Sequence, residues 1–263
     1  KQHIFEGDIF QIVLSIAFSG TTNLDPFEVY RAMRLINPSP YMFYYDLNGF
    51  QVVGSSPEAL VRLNHRTASL RPIAGTRPRG DDSQEDLRLE KSLLADHKEI
   101  AEHVMLVDLA RNDLGRVATK GTIEVSPYQS IERYSHVMHI VSNVVGELDP
   151  QHDAVAALLA GLPAGTLSGA PKVRAMEIID ELEPEKRGVY GGGCGYFSAR
   201  GDMDICIALR TAVLKDGVLY SQAGGGVVYD SDPEAEYEET VNKAKAVWNA
   251  AADAANFAGS TNA

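Results

Sequence analysis

Asp204-Ile205-Cys206-Ile207-Ala208-Leu209-Arg210-Thr211-Ala212-Val213, followed by Val218-Leu219-Tyr220-Ser221-Gln222-Ala223 and Val227-Val228-Tyr229, decides the fold class. Each run is rich in β-branched and aromatic residues and is bounded by Gly, Asp or Lys, the pattern of short strands between turns. Tyr190–Ser198 precedes them with the same character, and a helix over about Pro233–Ala254 closes the chain, capped by Ser231 or Asp232. Working outward, Ile9–Ser15 reads as a strand buried on both sides, with Gly7 stopping a helix tail at Lys1–Glu6. Pro26–Leu35 reads as an amphipathic helix, and Tyr41–Tyr45 with Gly49–Gly54 as a hairpin. Ala59–Leu63 and Thr67–Leu70 form another strand pair, and Val137–Gly146 alternates like a strand. Helices are expected near Ser83, over Asp96–Asn112, over Asp153–Ala160 and over Ser168–Glu181, the last with Pro171 in its first turn. Strands and helices follow no regular βαβ alternation. One α+β domain with large, mainly antiparallel sheets is the expectation. The domain is expected over 1–256, with a disordered tail over 257–263.

The composition narrows the class of function. The 263 residues carry a net charge of −12 and no terminal block of like charge, which argues against nucleic acid and anionic membranes as partners. No leader is visible over Lys1–Gly20, and no apolar run approaches the roughly 18 residues of a membrane span, so a cytoplasmic setting is expected. Cys194 and Cys206 stand in no metal-type spacing and read as buried reduced thiols.

Two acidic pairs could carry chemistry. Glu99 and Glu102 share a face of the Asp96–Asn112 helix, which continues through Met105, Leu106 and Leu109, so Glu102 heads an apolar stripe. Glu236 and Glu239 repeat the spacing on the last helix, with Lys243 one turn on. Carboxylates without His or Cys suit a hard cation such as Mg2+, although such pairs are equally at home on exposed helix faces. Glycines cluster at Gly161–Gly169, Gly191–Gly195 and Gly224-Gly225-Gly226. They could cradle an anion or simply allow tight turns and close packing, and none follows a nucleotide-binding loop pattern. Arg210, in an apolar run, needs a carboxylate partner that a substrate could supply. His139 is either a satisfied core histidine or a catalyst.

Taken in order, these segments resemble the chorismate-utilising enzymes, and most closely their anthranilate synthase component I branch. The resemblance runs from Gly7 to about Val247. It rests on Gly7-Asp8-Ile9-Phe10-Gln11, Asn37-Pro38-Ser39-Pro40-Tyr41-Met42-Phe43, Ser56-Pro57-Glu58 and Pro72–Gly80. It continues through Asp96-His97-Lys98-Glu99 to Asn112-Asp113-Leu114, Gly165–Lys172, Tyr190-Gly191-Gly192 and Glu236-x-x-Glu239-Thr240. It implies a two-sheet, largely antiparallel α/β sandwich flanked by helices. It further implies Mg2+ held by Glu102 and Glu239 with Glu99 and Glu236 beside them, and Glu58 as the acid that protonates the departing C4 hydroxyl of chorismate. Gly75, Thr76, Tyr190, Arg210, Gly224, Gly225, Gly226 and Lys243 match substrate-binding positions. His139 and Thr166 match residues linked to pyruvate elimination. The implied reaction joins chorismate and ammonia, the latter delivered from glutamine by an amidotransferase subunit, and yields anthranilate through aminodeoxyisochorismate. The alternatives are an aminodeoxychorismate or aminodeoxyisochorismate synthase, and an inactive chorismate-binding scaffold.

Four positions sharpen the comparison. Component I relatives begin with a further N-terminal region that completes a tryptophan pocket. Only the Pro40-Tyr41-Met42 half is found here, so an open sheet edge and no feedback by tryptophan are expected. Ser15-Ile16-Ala17-Phe18 stands where relatives usually carry Gln-Arg between Ser and Phe. Ala74 stands where makers of 4-aminodeoxychorismate often carry a nucleophilic lysine, and Gln11 where isochorismate synthases carry a lysine base. Neither replacement can do the lysine's chemistry, so anthranilate is the expected product.

Overall fold

The computed structural model describes residues 1–134 and 136–260, with side chains through 256. The chain folds as two compact units. The first takes Lys1–Glu58, Thr166–Cys194 and Cys206 to the C-terminus; the second takes Ala59–Gly165 and Gly195–Ile205.

A six-stranded sheet organises the first unit, in the order Gly169–Ala170, Gln11–Thr21, Val218–Val227, Thr211–Lys215, Gln51–Ser56 and Tyr41–Asp46. Gln11–Thr21 and Val218–Val227 pair antiparallel from Ile12↔Val227 to Thr21↔Val218, and Tyr41–Asp46 ends the sheet. Helix Pro26–Ile36 begins where the Asp25 side chain accepts from the Phe27 N–H. It buries Val29, Ala32 and Met33, an i, i+3, i+4 stripe, against Ala212, Leu214 and Leu219 and against Val247, Ala250 and Ala254 of the last helix. Burial of a side chain the size of Val29 or Met33 contributes about 1.5–3 kcal/mol. A second core joins Ile9 and Ile12 to Ala175 and Ile178. Both cysteines are free, and burial pushes their thiols up to about 11 for Cys194 and about 12 for Cys206.

The second unit is built on a six-stranded sheet, ordered Gly193–Phe197, Met203–Ile207, Ala59–Asn64, Thr67–Leu70, Val144–Glu147 and Glu124–Val125. A three-stranded sheet, Ile73–Pro78, Val137–Val141 and Ser130–Arg133, accompanies it. Asp96 caps helix His97–Gly115 by accepting from the Lys98 and Glu99 N–H groups, and this helix packs on Ile73–Pro78. The pairings resolved between named strands are antiparallel, and the architecture is the mixed α/β class with two large sheets.

Five expectations are corrected. Val137–Gly146 is two strands in different sheets, broken at Ser142-Asn143. Asp204–Val213 likewise divides, and Arg210 occupies the turn with a φ of +47°, not a core strand. Gly224–Gly226 lie inside Val218–Val227 rather than in a loop. The helix expected from Ser168 starts at Lys172, after a 3-10 turn at Gly165–Leu167 and the short strand Gly169–Ala170. The last helix runs to Ser260, past the expected tail start at 257, while 261–263 lie outside the described residues. Among the described residues no helix is long and apolar enough to cross a membrane.

Candidate functional site

In the first unit the candidate residues gather on the glycine strand. Thr211–Lys215 pairs with Val218–Val227 only as far as Ser221, whereas Gln11–Thr21 pairs with it through Gly224, Gly225 and Gly226. Past Ser221 one edge of the strand therefore carries no ladder in the sheet. The missing side chains matter here. A Cβ on Gly224 would stand 2.8 Å from the Tyr190 hydroxyl oxygen and 2.6 Å from the Leu14 carbonyl oxygen, so only glycine admits that approach. One on Gly225 would meet Thr240 and Glu236, and one on Gly226 the Gln11 carboxamide. Lys243 Nζ donates to the Gly224 carbonyl at 3.2 Å and pairs with Glu239 at 2.7 Å. The Ser231 hydroxyl donates to Glu236 at 2.8 Å.

The first unit also holds an acid with an unusual proton affinity. Burial pushes the Glu58 carboxyl up to about 7, against the opposing pull of the Thr166 hydroxyl, which donates to it at 3.0 Å, and of the Arg210 charge. Arg210 is itself desolvated, which lowers its proton affinity, with Glu58 acting the other way. Its guanidinium makes no hydrogen bond or ion pair with a described residue. A protonated Glu58 leaves that cation without a counter-charge, the setting in which an incoming carboxylate is bound well.

Tyr190, already a candidate, and two residues absent from the sequence-level candidates, Arg187 and Glu183, support this surface. Tyr190 is 7% exposed, its phenol pushed up to about 12 by burial, and Arg187 lies over its ring, 5.6 Å from the centroid. Arg187 also binds Glu183, Leu167 and Val13, and Glu183 accepts from Ser15. The only sequence signal was an i,i+4 Glu–Arg pair beyond a helix end, too common to stand out.

The second unit gathers the others. Ile73–Pro78 bulges between Ala74 and Thr76, and Gly75 takes a φ of +80° there, open to glycine at little cost. Its Cα faces Ile140 and Glu99. Thr76 sits opposite His139, with their Oγ1 and Nδ1 3.0 Å apart, and the Tyr134 ring meets the imidazole edge-on at 5.7 Å. Arg77 donates to Glu99 at 3.2 Å and to Asp96 at 2.7 Å. Glu102 is half-buried on the same helix. The next residue, His103, was not singled out from sequence. It is fully buried, with Nε2 2.7 Å from the Ser142 hydroxyl, and burial lowers its proton affinity.

Each unit carries one glutamate pair, Glu236 with Glu239 in the first and Glu99 with Glu102 in the second. Thr166 belongs to the first unit and His139 to the second. The donors of each pair are carboxylates, the kind a hard divalent cation takes; Arg77 now balances Glu99 in the one and Lys243 balances Glu239 in the other. A separate surface cluster, His3, Glu6 and Asp8, has ligand-type atoms within 4.8 Å of one another, but Arg174 already holds Asp8 at 2.9 Å.

Residues 1–249 match the family model described as chorismate binding enzyme. The chain belongs to the chorismate-binding enzymes. It is 67% identical over 258 residues to the anthranilate synthase component 1 of Cereibacter sphaeroides, covering 98% of this chain and 52% of that relative. The crystal structure of anthranilate synthase component I from Streptococcus pneumoniae superimposes with a TM-score of 0.86 at 49% identity, over 94% of this chain and 55% of that one. The menaquinone-specific isochorismate synthase from Escherichia coli is also similar, with a TM-score of 0.84 at 28% identity over 95% of this chain and 58% of that one. This chorismate-binding chain spans about half the length of the curated relatives it matches.

Proposed function

We propose that this chain carries the catalytic surface of an anthranilate synthase of the component I type, acting on chorismate and ammonia in tryptophan biosynthesis. The observation that carries this reading is the Glu58 site: a carboxyl raised to about 7, touched by Thr166 and set beside the unpaired Arg210. An acid that keeps its proton near neutrality can deliver it to a departing hydroxyl, and the cation beside it can hold a substrate carboxylate. The open edge of Gly224–Gly226 offers backbone groups to the same substrate, with Tyr190 and Lys243 flanking it.

Glu102 and Glu239, with Glu99 and Glu236, would hold Mg2+, which supplies charge stabilisation to a bound carboxylate and to the developing hydroxide. In the second step Thr166 and His139 would serve the loss of the C2 proton. The Thr76 hydroxyl next to His139 Nδ1 fixes the imidazole plane and so the direction in which Nε2 takes a proton. Ammonia would reach the site from a glutamine amidotransferase partner in the cytoplasm.

A second reading, isochorismate formation, is favoured by the likeness to the Escherichia coli enzyme. The Gln11 carboxamide, buried against Gly226, argues against it, because an amide cannot take a proton from water. Fluorescence of the product formed from chorismate, Mg2+ and an ammonium salt tests the first reading, with anthranilate expected. Mass spectrometry of the mixture without ammonium tests the second. A 4-amino product, or steady isochorismate formation, would replace the proposal.

A further inference from the structure

We propose that Arg187, held by Glu183, is a positioning residue for the chorismate surface: it sets where the Tyr190 hydroxyl stands against Gly224 and where the chain stands beside Thr166. The inference rests on the functional reading above only for what that surface binds. Arg187 lies in the segment between the end of helix Lys172–Leu182 and Tyr190, outside any helix or strand, where its carbonyl accepts from the Tyr190 N–H at 3.2 Å to close a turn. Its side chain ties that turn to the rest of the unit. Nη1 donates to the Leu167 carbonyl at 2.5 Å, and Nη2 to the Val13 carbonyl at 2.6 Å. Nε and Nη2 grip the two Glu183 oxygens at 2.9 and 2.7 Å. One planar fork therefore ties three remote stretches together. The first is strand Gln11–Thr21, which faces Gly224–Gly226; the second is the turn that carries Thr166; the third is its own segment.

Glu183 extends the tie. Its Oε1 accepts both the N–H and the hydroxyl of Ser15 at 2.8 Å, and Gln222 Nε2 donates to the Ser15 hydroxyl at 2.8 Å. Ser15 is the register partner of Gly224. Every line leaving the ion pair thus ends within a residue or two of a candidate binding group. Tyr190 is the sharpest case. Its hydroxyl makes no hydrogen bond with a described residue, so the place of that oxygen follows from where the ring lies, and Arg187 covers the ring. The pair is largely buried, with side chains 18% and 7% exposed. A lysine could keep the charge opposite Glu183, but its tetrahedral ammonium cannot reproduce the fork onto both carbonyls and the stack on the ring.

The test is Arg187→Lys, alone and with Tyr190→Phe, followed by chorismate KM, kcat and thermal midpoint on the intact chain with Mg2+ and ammonium. Arg187→Lys is expected to raise KM about tenfold while the protein stays folded. In the Tyr190→Phe background, where there is no hydroxyl left to misplace, most of that rise should vanish. Equal rises in both backgrounds would show that Arg187 does not act through Tyr190, and an unchanged KM would overturn the proposal outright. A second readout needs no turnover. In protein labelled with 3-fluorotyrosine, the 19F resonance that disappears in Tyr190→Phe should shift in Arg187→Lys. A resonance that stays in place overturns the inference, whether or not the chain makes anthranilate. If the unaltered chain makes no anthranilate while the resonance does shift, the functional reading fails and the positioning role stands.

Discussion

Replacing Glu58 with Gln should make the protein more stable at alkaline pH while destroying its turnover. Burial moves the carboxyl from an ordinary 4.5 to about 7, outweighing the Thr166 hydrogen bond and the Arg210 charge that oppose it. At ~1.4 kcal/mol per pH unit, that span corresponds to ~3 kcal/mol. The fold binds the Glu58 proton more tightly than the unfolded chain does. Its contribution is therefore fully present below pH 4.5 and is lost as pH rises through 7. The carboxamide of the Glu58→Gln variant has no proton to lose in this range, and its carbonyl could still accept from Thr166. Urea unfolding of both proteins at fixed pH values gives the difference directly, since the other titrating groups cancel. The gap should widen in the variant's favour by ~3 kcal/mol between pH 4.5 and 8. Turnover should fall by ~100-fold or more, the usual worth of a general acid, and kcat of the unaltered protein should decline as pH rises above about 7. Parallel stability profiles for the two proteins would mean that the carboxyl is not desolvated, and the acid role would lose its physical basis.

Glu102→Gln and Glu239→Gln should each abolish turnover with little change in fold, because each would remove an anionic ligand from the proposed Mg2+ site. Near-normal rates at limiting Mg2+ would remove either residue from the ion. His139→Met breaks the contact with Thr76 and should slow aromatisation more than amination, so that aminodeoxyisochorismate builds up on chromatography. Equal loss of both steps would take His139 out of the elimination.

Local rules read the capped helix starts at Asp96 and Asp232, because a cap is settled within three residues. Asp96 and Asp232 both accept from backbone N–H groups of the turn that follows. Changes of sheet were illegible for an equally physical reason. No exposed turn marks the breaks in Val137–Gly146 and Asp204–Val213, because each holds a completely buried residue, Ser142 in one and Ala208 in the other. Hydrophobic alternation records burial, not which sheet a residue belongs to. Gly224–Gly226 misled in the opposite direction. Three glycines read as a loop, yet they continue a strand because other side chains come too close to leave room for a Cβ.

The same contrast runs through the candidate site. Glu99 with Glu102 and Glu236 with Glu239 could be noticed because their relation is confined to one helix turn. Glu183 and Arg187 are also four apart, but what distinguishes them is contact with Ser15 and Val13, 168 and 174 residues away. No window along the chain contains that information; it exists only once Gln11–Thr21 has paired with Val218–Val227 and brought Ser15 opposite Gly224. The unusual Ser15-Ile16-Ala17-Phe18 segment shows how the two levels separate. Ile16 and Ala17 lie on the exposed part of the strand, 37% exposed in the case of Ile16, whereas Ser15 is the residue bound into the Glu183 tie. Ile16 and Ala17 therefore change a surface, and the serine before them carries the connection to Gly224.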